Sequence, residues 1–348
     1  MRERRLLITG GSGFIGTNLI SEIDRRDRYE ALNLDVAPPK FDSKSVRYRR
    51  CDLLDRWTVE QCFAEFQPTH VVNLAGRTDM FGATVDDYAA NHVGTQNVIA
   101  AIRQTSSVEN VVFTSSQYVV GPGRLPDGDE DYRPHTIYGQ SKVETEKAIR
   151  GAHLSVPWSI IRPTNIWGRW DPRYPREFWR VLKQGRYVHP GGPPVTRCYG
   201  YVGNIVDQML TILAHEDGGL NGKTFYLGDP PIDIYEWTNA FSLELTGKPV
   251  RVVPRPVLLA MAKFGDMVIK CGGHFPIFSS RFHSMTEDYI TPMEPTYAAL
   301  GPPLISMKEG VHETVEWLRS ESAFWAPAAR GVPEALPAEE SLVSKRIG

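Results

Sequence analysis

Short apolar runs alternate along the first half of the chain with stretches whose apolar residues return every three or four positions. Leu6–Thr9, Ala31–Asp35, His70–Ala75, Asn110–Ser115 and Ser159–Pro163 read as strands, with Phe14–Arg25, Thr58–Glu65, Asp86–Gln104 and Tyr138–Arg150 as the helices between them. Strands separated by helices cannot pair as hairpins, so the pattern predicts an α/β fold built on a doubly wound parallel sheet. After Pro163 the texture turns to Pro, Gly and aromatic residues, among them Trp167, Trp170, Trp179 and the turn from Pro190 to Pro194. A strand at Lys223–Leu227 and amphipathic helices at Ile234–Thr246 and Lys308–Leu318 follow. The expected division is 1–165 as a first domain, rejoined by about 199–230, and 166–325 mainly as a smaller, mixed α/β substrate-binding domain. Residues 326–348, rich in Ala, Pro and Glu without apolar periodicity, read as a disordered tail.

Composition narrows the class without choosing the chemistry. The chain has 348 residues, enough for two such units at ~150 residues each. With 39 Lys and Arg against 41 Asp and Glu it offers no broad attraction for nucleic acid or anionic lipid, so a bound anion must be held locally. The four cysteines form no CxxC pair, which argues against a zinc cluster and a disulfide framework. The apolar run behind Met1–Arg5 is only Leu6-Leu7-Ile8, and no Asn-x-Ser/Thr acceptor occurs; both fit a cytoplasmic protein. No stretch approaches the ~18 apolar residues of a membrane span. The most apolar one, Val257–Ile269, is interrupted by Lys263, Gly265 and Asp266 and reads as core or lid ahead of a membrane-facing or apolar-substrate surface.

The candidate chemistry begins at Thr9-Gly-Gly-Ser-Gly-Phe-Ile-Gly16, between a strand and a helix. Gly10 permits the tight turn, Gly13 lets the backbone approach a pyrophosphate, and Gly16 allows close packing, while the helix that opens at Phe14 and Ile15 turns its positive end toward the phosphates. Asp35 ends the second strand, where a carboxylate can accept both ribose hydroxyls and repel a 2′-phosphate. NAD, not NADP, is therefore the expected cofactor. Tyr138 and Lys142 stand four apart in a helix, one turn apart on one face. A phenol with a pKa of ~10 is a poor base at neutral pH, but a neighbouring ammonium favours the phenolate.

The Gly10, Gly13, Gly16 spacing is similar to that of the extended short-chain dehydrogenase/reductase family. The resemblance continues in order through Cys51-Asp52-Leu53, Asn73-Leu74-Ala75-Gly76, Asn91, Thr114-Ser-Ser116, Tyr138-Gly-Gln-Ser-Lys142 and Arg162-Pro163. It implies a Rossmann-type domain, with Asp52 at the adenine amine, Asn73–Gly76 lining the cofactor, Asn91 supporting the active-site helix and Pro163 near the nicotinamide. It also implies Ser116, rather than Ser115, as the hydroxyl that orients substrate, Tyr138 as the proton carrier and Lys142 on the nicotinamide ribose. A homodimer joined through Asp86–Gln104 and Tyr138–Arg150 is implied as well.

Within that family the chain resembles the enzymes of nucleotide-diphosphate sugars. Asn165 and Arg197 match residues that contact the diphosphate, and a guanidinium suits that task because its planar fork pairs bidentately with phosphate oxygens. Arg77, beside Asp79, is either a substrate contact or half of a loop ion pair. Gln117 and Tyr118 occupy the positions where the sugar 4,6-dehydratases carry their acid and base, so the resemblance favours epimerisation over dehydration. A second resemblance, to 3β-hydroxysteroid dehydrogenase-like proteins, runs through Tyr201–Val206, Pro254–Phe264 and the closing pattern from Leu300-Gly301 to Trp317; it, or a sugar dehydrogenase/reductase, would make the reaction a net oxidation or reduction. A non-catalytic NAD-binding scaffold is a third possibility, opposed by the presence of Ser116, Tyr138 and Lys142 together. No metal is expected, since the nine histidines show no HExxH spacing.

Overall fold

The computed structural model describes residues 4–26, 28–174, 178–215 and 218–321; the expected tail at 326–348 lies outside them. Its seven-stranded sheet contains β1 (Arg5–Thr9), β2 (Glu30–Asp35), β3 (Val46–Arg50), β4 (His70–Asn73), β5 (Asn110–Thr114), β6 (Trp158–Pro163) and the strand Thr224–Leu227. The order is Thr224–Leu227, β6, β5, β4, β1, β2, β3, and every neighbouring pair is parallel. The chain therefore winds outward from β1 in both directions, and the crevice at the carboxyl ends of β1 and β4 is where such sheets bind ligands.

The helices follow from the alternation within each strand. Leu7, Val71, Val111 and Phe113 point to one face, packing with Phe63, Val98, Ile102 and Ile149 of α2 (Arg56–Phe66), α3 (Ala89–Gln104) and α4 (Ile137–Gly151). Leu6, Ile8, Val72 and Val112 point to the other, packing with Leu19, Ile20 and Ile23 of α1 (Phe14–Arg26) and with Ile205 and Met209 of the helix Val202–Leu213. Both faces are dry, as a parallel sheet requires. Local caps set the ends: Asp55 accepts the Thr58 amide at the start of α2, and Thr136 accepts the Gly139 amide at the start of α4.

Two compact units result. Among the described residues, the first comprises the chain up to Trp170, Tyr199–Asp229 and Thr291–Ile305; the second comprises Asp171–Cys198, Pro230–Ile290 and the stretch from Ser306 to Glu321. The stretches 166–170 and 291–305, placed with the second domain by the sequence pattern, thus join the first. The physical reason is pairing: Asn165–Trp167 runs parallel to Tyr199–Tyr201, Thr296 donates to the Tyr226 carbonyl, and Asn204 donates to the Ile305 carbonyl. The second unit holds the helices Ile234–Thr246, Arg255–Lys270, Ser279–Thr286 and Met307–Ser320, and an aromatic cluster in which Phe178 stacks on Trp237 at 5.1 Å between centroids.

Candidate active site

The glycine turn is shaped by what each missing side chain leaves. Gly10 has φ +72°, and a Cβ there would meet the Ala75 nitrogen at 2.6 Å; one on Gly16 would meet the Gly10 carbonyl at 2.4 Å. Those two glycines let β1, β4 and α1 close on one another. A Cβ on Gly13 would meet only the Gly10 oxygen, at 3.2 Å, so its other side is open backbone at the start of α1. The first amides of that helix, at Phe14 and Ile15, have no intrahelical acceptor, which leaves a donor set suited to a pyrophosphate. Asp35 lies beside the turn, its carboxylate accepting the Ser12 and Ala37 amides, each at 3.0 Å. These residues fit a dinucleotide: open amides for phosphates, a carboxylate for ribose.

Polar clamps hold the neighbouring loops. Thr9 donates to Asn73 Oδ1 at 2.6 Å and accepts the Ala75 amide, while Asn73 donates to Thr95, so the Asn73–Gly76 segment, with Leu74 and Ala75, is pinned at the mouth of β1. Asp52 is exposed and accepts the Leu54 amide, whereas Leu53 is buried against Gly94 of α3. Asn91 is fully buried: it accepts the Arg77 amide at 2.7 Å and donates to the Arg77 carbonyl and to Ser141. Ser141 in turn donates to the Tyr138 carbonyl, which completes a chain of bonds from the cofactor loop to α4.

On α4, Tyr138 is 7 % exposed and Lys142 3 %. The Lys142 ammonium donates to the Thr114 carbonyl at the end of β5, at 3.1 Å, and a Cβ on Gly76 would lie 3.5 Å from it. Burial pushes its pKa down to about 8, against the raising influence of the Glu146 carboxylate. The residues that follow β5 are Ser115 and Ser116. Ser116 is buried and caps the turn at Gln117–Val119 by accepting the Tyr118 amide; Ser115 Oγ is buried without a partner among the described residues. The Tyr138 ring lies between those of Tyr88 and Tyr118, at 5.9 Å from each. Pro163 is buried at the end of β6, opposite Leu227, and Asn165 is half-buried just beyond it.

Two candidates have partners already. The Arg77 guanidinium grips Asp79 through two bonds of 2.8 and 3.0 Å, donates to the Asp87 carbonyl and lies over the Tyr88 ring, so its loop ion pair is formed. Arg197, in the second unit, is half-buried in a short ladder with Ile232, its Nε 3.3 Å from the Glu287 carbonyl.

A buried ion pair under α4 was not anticipated. Glu146, one turn after Lys142, is 0 % exposed and holds Arg162, also 0 % exposed, by two bonds of 2.8 and 2.7 Å. Tyr132 donates to the same carboxylate, and Arg162 also donates to Tyr226. The available signals were the four-residue spacing from Lys142 to Glu146 and a lone arginine at the end of an apolar strand.

Relatives share this architecture. A 4-epimerase of Escherichia coli O157:H7 whose substrate is N-acetyl-α-D-glucosaminyl-diphospho-ditrans,octacis-undecaprenol is 33 % identical over 277 residues, covering 77 % of this chain and 81 % of that protein. A 3β-hydroxysteroid dehydrogenase/Δ5→4-isomerase of Mycobacterium tuberculosis is 29 % identical over 259 residues, 67 % of each chain. The structure of a Thermus thermophilus UDP-glucose 4-epimerase complexed with NAD superposes with a TM-score of 0.66 at 25 % identity, covering 90 % of this chain and 99 % of that one. The model of the NAD dependent epimerase/dehydratase family matches residues 6–228, the span that carries the glycine turn, Ser116, Tyr138 and Lys142. The chain is an enzyme of that family, with NAD as its cofactor.

Proposed function

We propose that the protein epimerises a hydroxyl-bearing carbon, C4, of a nucleotide-diphosphate sugar by transient oxidation. The observation that carries this reading is α4, which sets Tyr138 one turn from a buried Lys142 whose ammonium is tied to the end of β5, two residues before Ser116. Bound NAD would accept a hydride from the carbon and return it to the opposite face. Gly13, the first turn of α1, Asp35, Asp52 and the Asn73–Gly76 segment would hold the dinucleotide, with Pro163 beside its nicotinamide. Ser116 would orient the sugar hydroxyl, and Tyr138 Oη would take its proton and later give it back. Lys142, still largely cationic at pH 7, would hold the nicotinamide ribose and, one turn from Tyr138, would favour loss of the phenol proton during turnover.

Asn165 and Arg197 are the proposed diphosphate contacts, with Arg77 a further candidate on the substrate side, and a homodimer through α3 and α4 is proposed with them. The 33 % identical relative supports the same diphosphate-linked sugar on a polyprenol instead of a nucleotide. The 29 % identical relative favours a second reading, an NAD-dependent hydroxysteroid-type dehydrogenase. Purified protein decides between them when titrated with UDP, GDP, CDP and dTDP and assayed without added NAD. An epimerase turns over on the NAD it retains; accumulation of NADH that continues only while NAD is supplied makes the protein a dehydrogenase.

A further inference from the structure

The helix Arg255–Lys270 carries two parallel apolar stripes. Leu258, Ala262 and Gly265, at helical spacing, are buried, the first two on Phe282 of the neighbouring helix Ser279–Thr286; a Cβ on Gly265 would lie 2.0 Å from the Ile277 carbonyl, so contact there is as close as a backbone permits. One residue earlier at each step, Val257, Met261 and Phe264 form a second stripe, which is exposed, as is Met267 (Phe264 51 %, Met267 55 %). Of sixteen large hydrophobic side chains exposed among the described residues, six lie between Val252 and Ile269, so the exposure is concentrated here. A contiguous apolar face on one helix marks an interaction surface.

Charge identifies the partner. Lys263 and Lys270 are exposed, two turns apart, along one flank of this stripe. From Arg251 to His283 the sequence holds five Lys or Arg and one acid, Asp266, whereas the whole chain is at −2. Asp266 is itself engaged, accepting the Ser279 amide and hydroxyl. Apolar side chains rimmed by lysines whose stems can reach past them are the pattern of a helix lying in a bilayer interface. We propose that Arg255–Lys270 docks on an anionic lipid surface, with Val257, Met261, Phe264 and Met267 entering the acyl boundary and Lys263 and Lys270 at the phosphates.

The test is co-flotation of the full chain with phosphatidylcholine vesicles, with and without about a third phosphatidylglycerol. Wild-type protein should float with the anionic vesicles, bind neutral ones at least roughly twenty-five-fold less, and release as salt rises to about 0.5 M. Lys263→Glu with Lys270→Glu should lower the partition by at least roughly twenty-five-fold, about fivefold for each charge lost. Met261→Glu with Phe264→Glu should abolish flotation while NAD affinity, the control for folding, is unchanged. Failure of the wild-type protein to float, equal binding to both vesicles, or flotation of the glutamate variants at the wild-type level overturns the proposal. So does sedimentation showing that the glutamate pair converts a dimer to a monomer, since the face would then belong to a second copy.

Discussion

The helices α4 and Arg255–Lys270 break the inside–outside rule in opposite senses. Along α4, Ser141, Lys142, Thr145 and Glu146 are buried, a polar face turned into the protein; along Arg255–Lys270, Val257, Met261, Phe264 and Met267 stand in solvent. Burying an ammonium and exposing a row of hydrophobes both oppose folding, so each is explained by what the side chains do afterwards. The difference lies in completion. The α4 face is finished within the chain, because Lys142 has the Thr114 carbonyl and Glu146 has Arg162 and Tyr132. The other face stays exposed among the described residues. Substitutions should therefore damage chemistry and stability on α4 and association on Arg255–Lys270.

The largest expected effect tests α4 as the seat of the reaction. Tyr138→Phe removes one oxygen and keeps the ring between Tyr88 and Tyr118, so the fold and NAD binding should survive while turnover falls by about 10²–10⁴, the usual contribution of a positioned proton carrier. Steady-state kinetics with calorimetric NAD titration checks this; retained activity would mean another group moves the proton.

Next comes the charge balance beneath it. Glu146→Gln leaves Arg162 buried without its anion, which should cost about 3–5 kcal/mol in urea unfolding. It also has a signature that simple destabilisation lacks. Burial drives the Lys142 pKa down to about 8 while Glu146 opposes the shift, so removing the carboxylate lowers it further. The ammonium is then lost at lower pH, and the falling limb of kcat/KM against pH should move toward neutrality. A falling limb that stays in place, measured where the variant is still folded, would show that Glu146 supports only the fold.

These two helices also show how far sequence carries. The sheet was legible because its strands are buried on both faces and stand out as apolar runs, and the glycine turn because backbone geometry at Gly10 and Gly16 admits no other residue type. The edge strand Val46–Arg50 was not, since three arginines and an exposed tyrosine mask its period, as suits a sheet edge. Tyr138 and Lys142 are close in sequence and share a face by spacing alone. Glu146 and Arg162 are sixteen residues apart on different elements, and only the packing of α4 on β6 brings them together. The exposed stripe was legible only as the second of two readings of Val257–Ile269, for a related reason: an apolar stretch reads as interior until the structure shows which of its two stripes is covered.

A smaller effect concerns the cofactor end, where charge is neither buried nor left over. Asp35 holds two amides, and Lys40, the nearest cation in sequence, donates to the Trp170 carbonyl, so a 2′-phosphate would meet the Asp35 carboxylate. NAD should bind at least about tenfold more tightly than NADP, roughly 1.4 kcal/mol. Asp35→Ser should narrow the gap, and equal calorimetric affinities in the wild-type protein would remove the argument.

The smallest effect is the sharpest test of the comparison. Leu258 and Met261 lie on adjacent stripes of one helix, the first fully buried against Phe282, the second 37 % exposed. Leu258→Ala should leave a cavity and cost about 2–5 kcal/mol. Met261→Gln removes no packing if nothing in the chain covers it, and straight-chain residues have similar helix propensities, so unfolding free energy should change by less than about 0.5 kcal/mol. A loss near that of Leu258→Ala would mean that the chain itself covers the second stripe. The contrast between the two helices, and the lipid surface inferred from it, would then fail together.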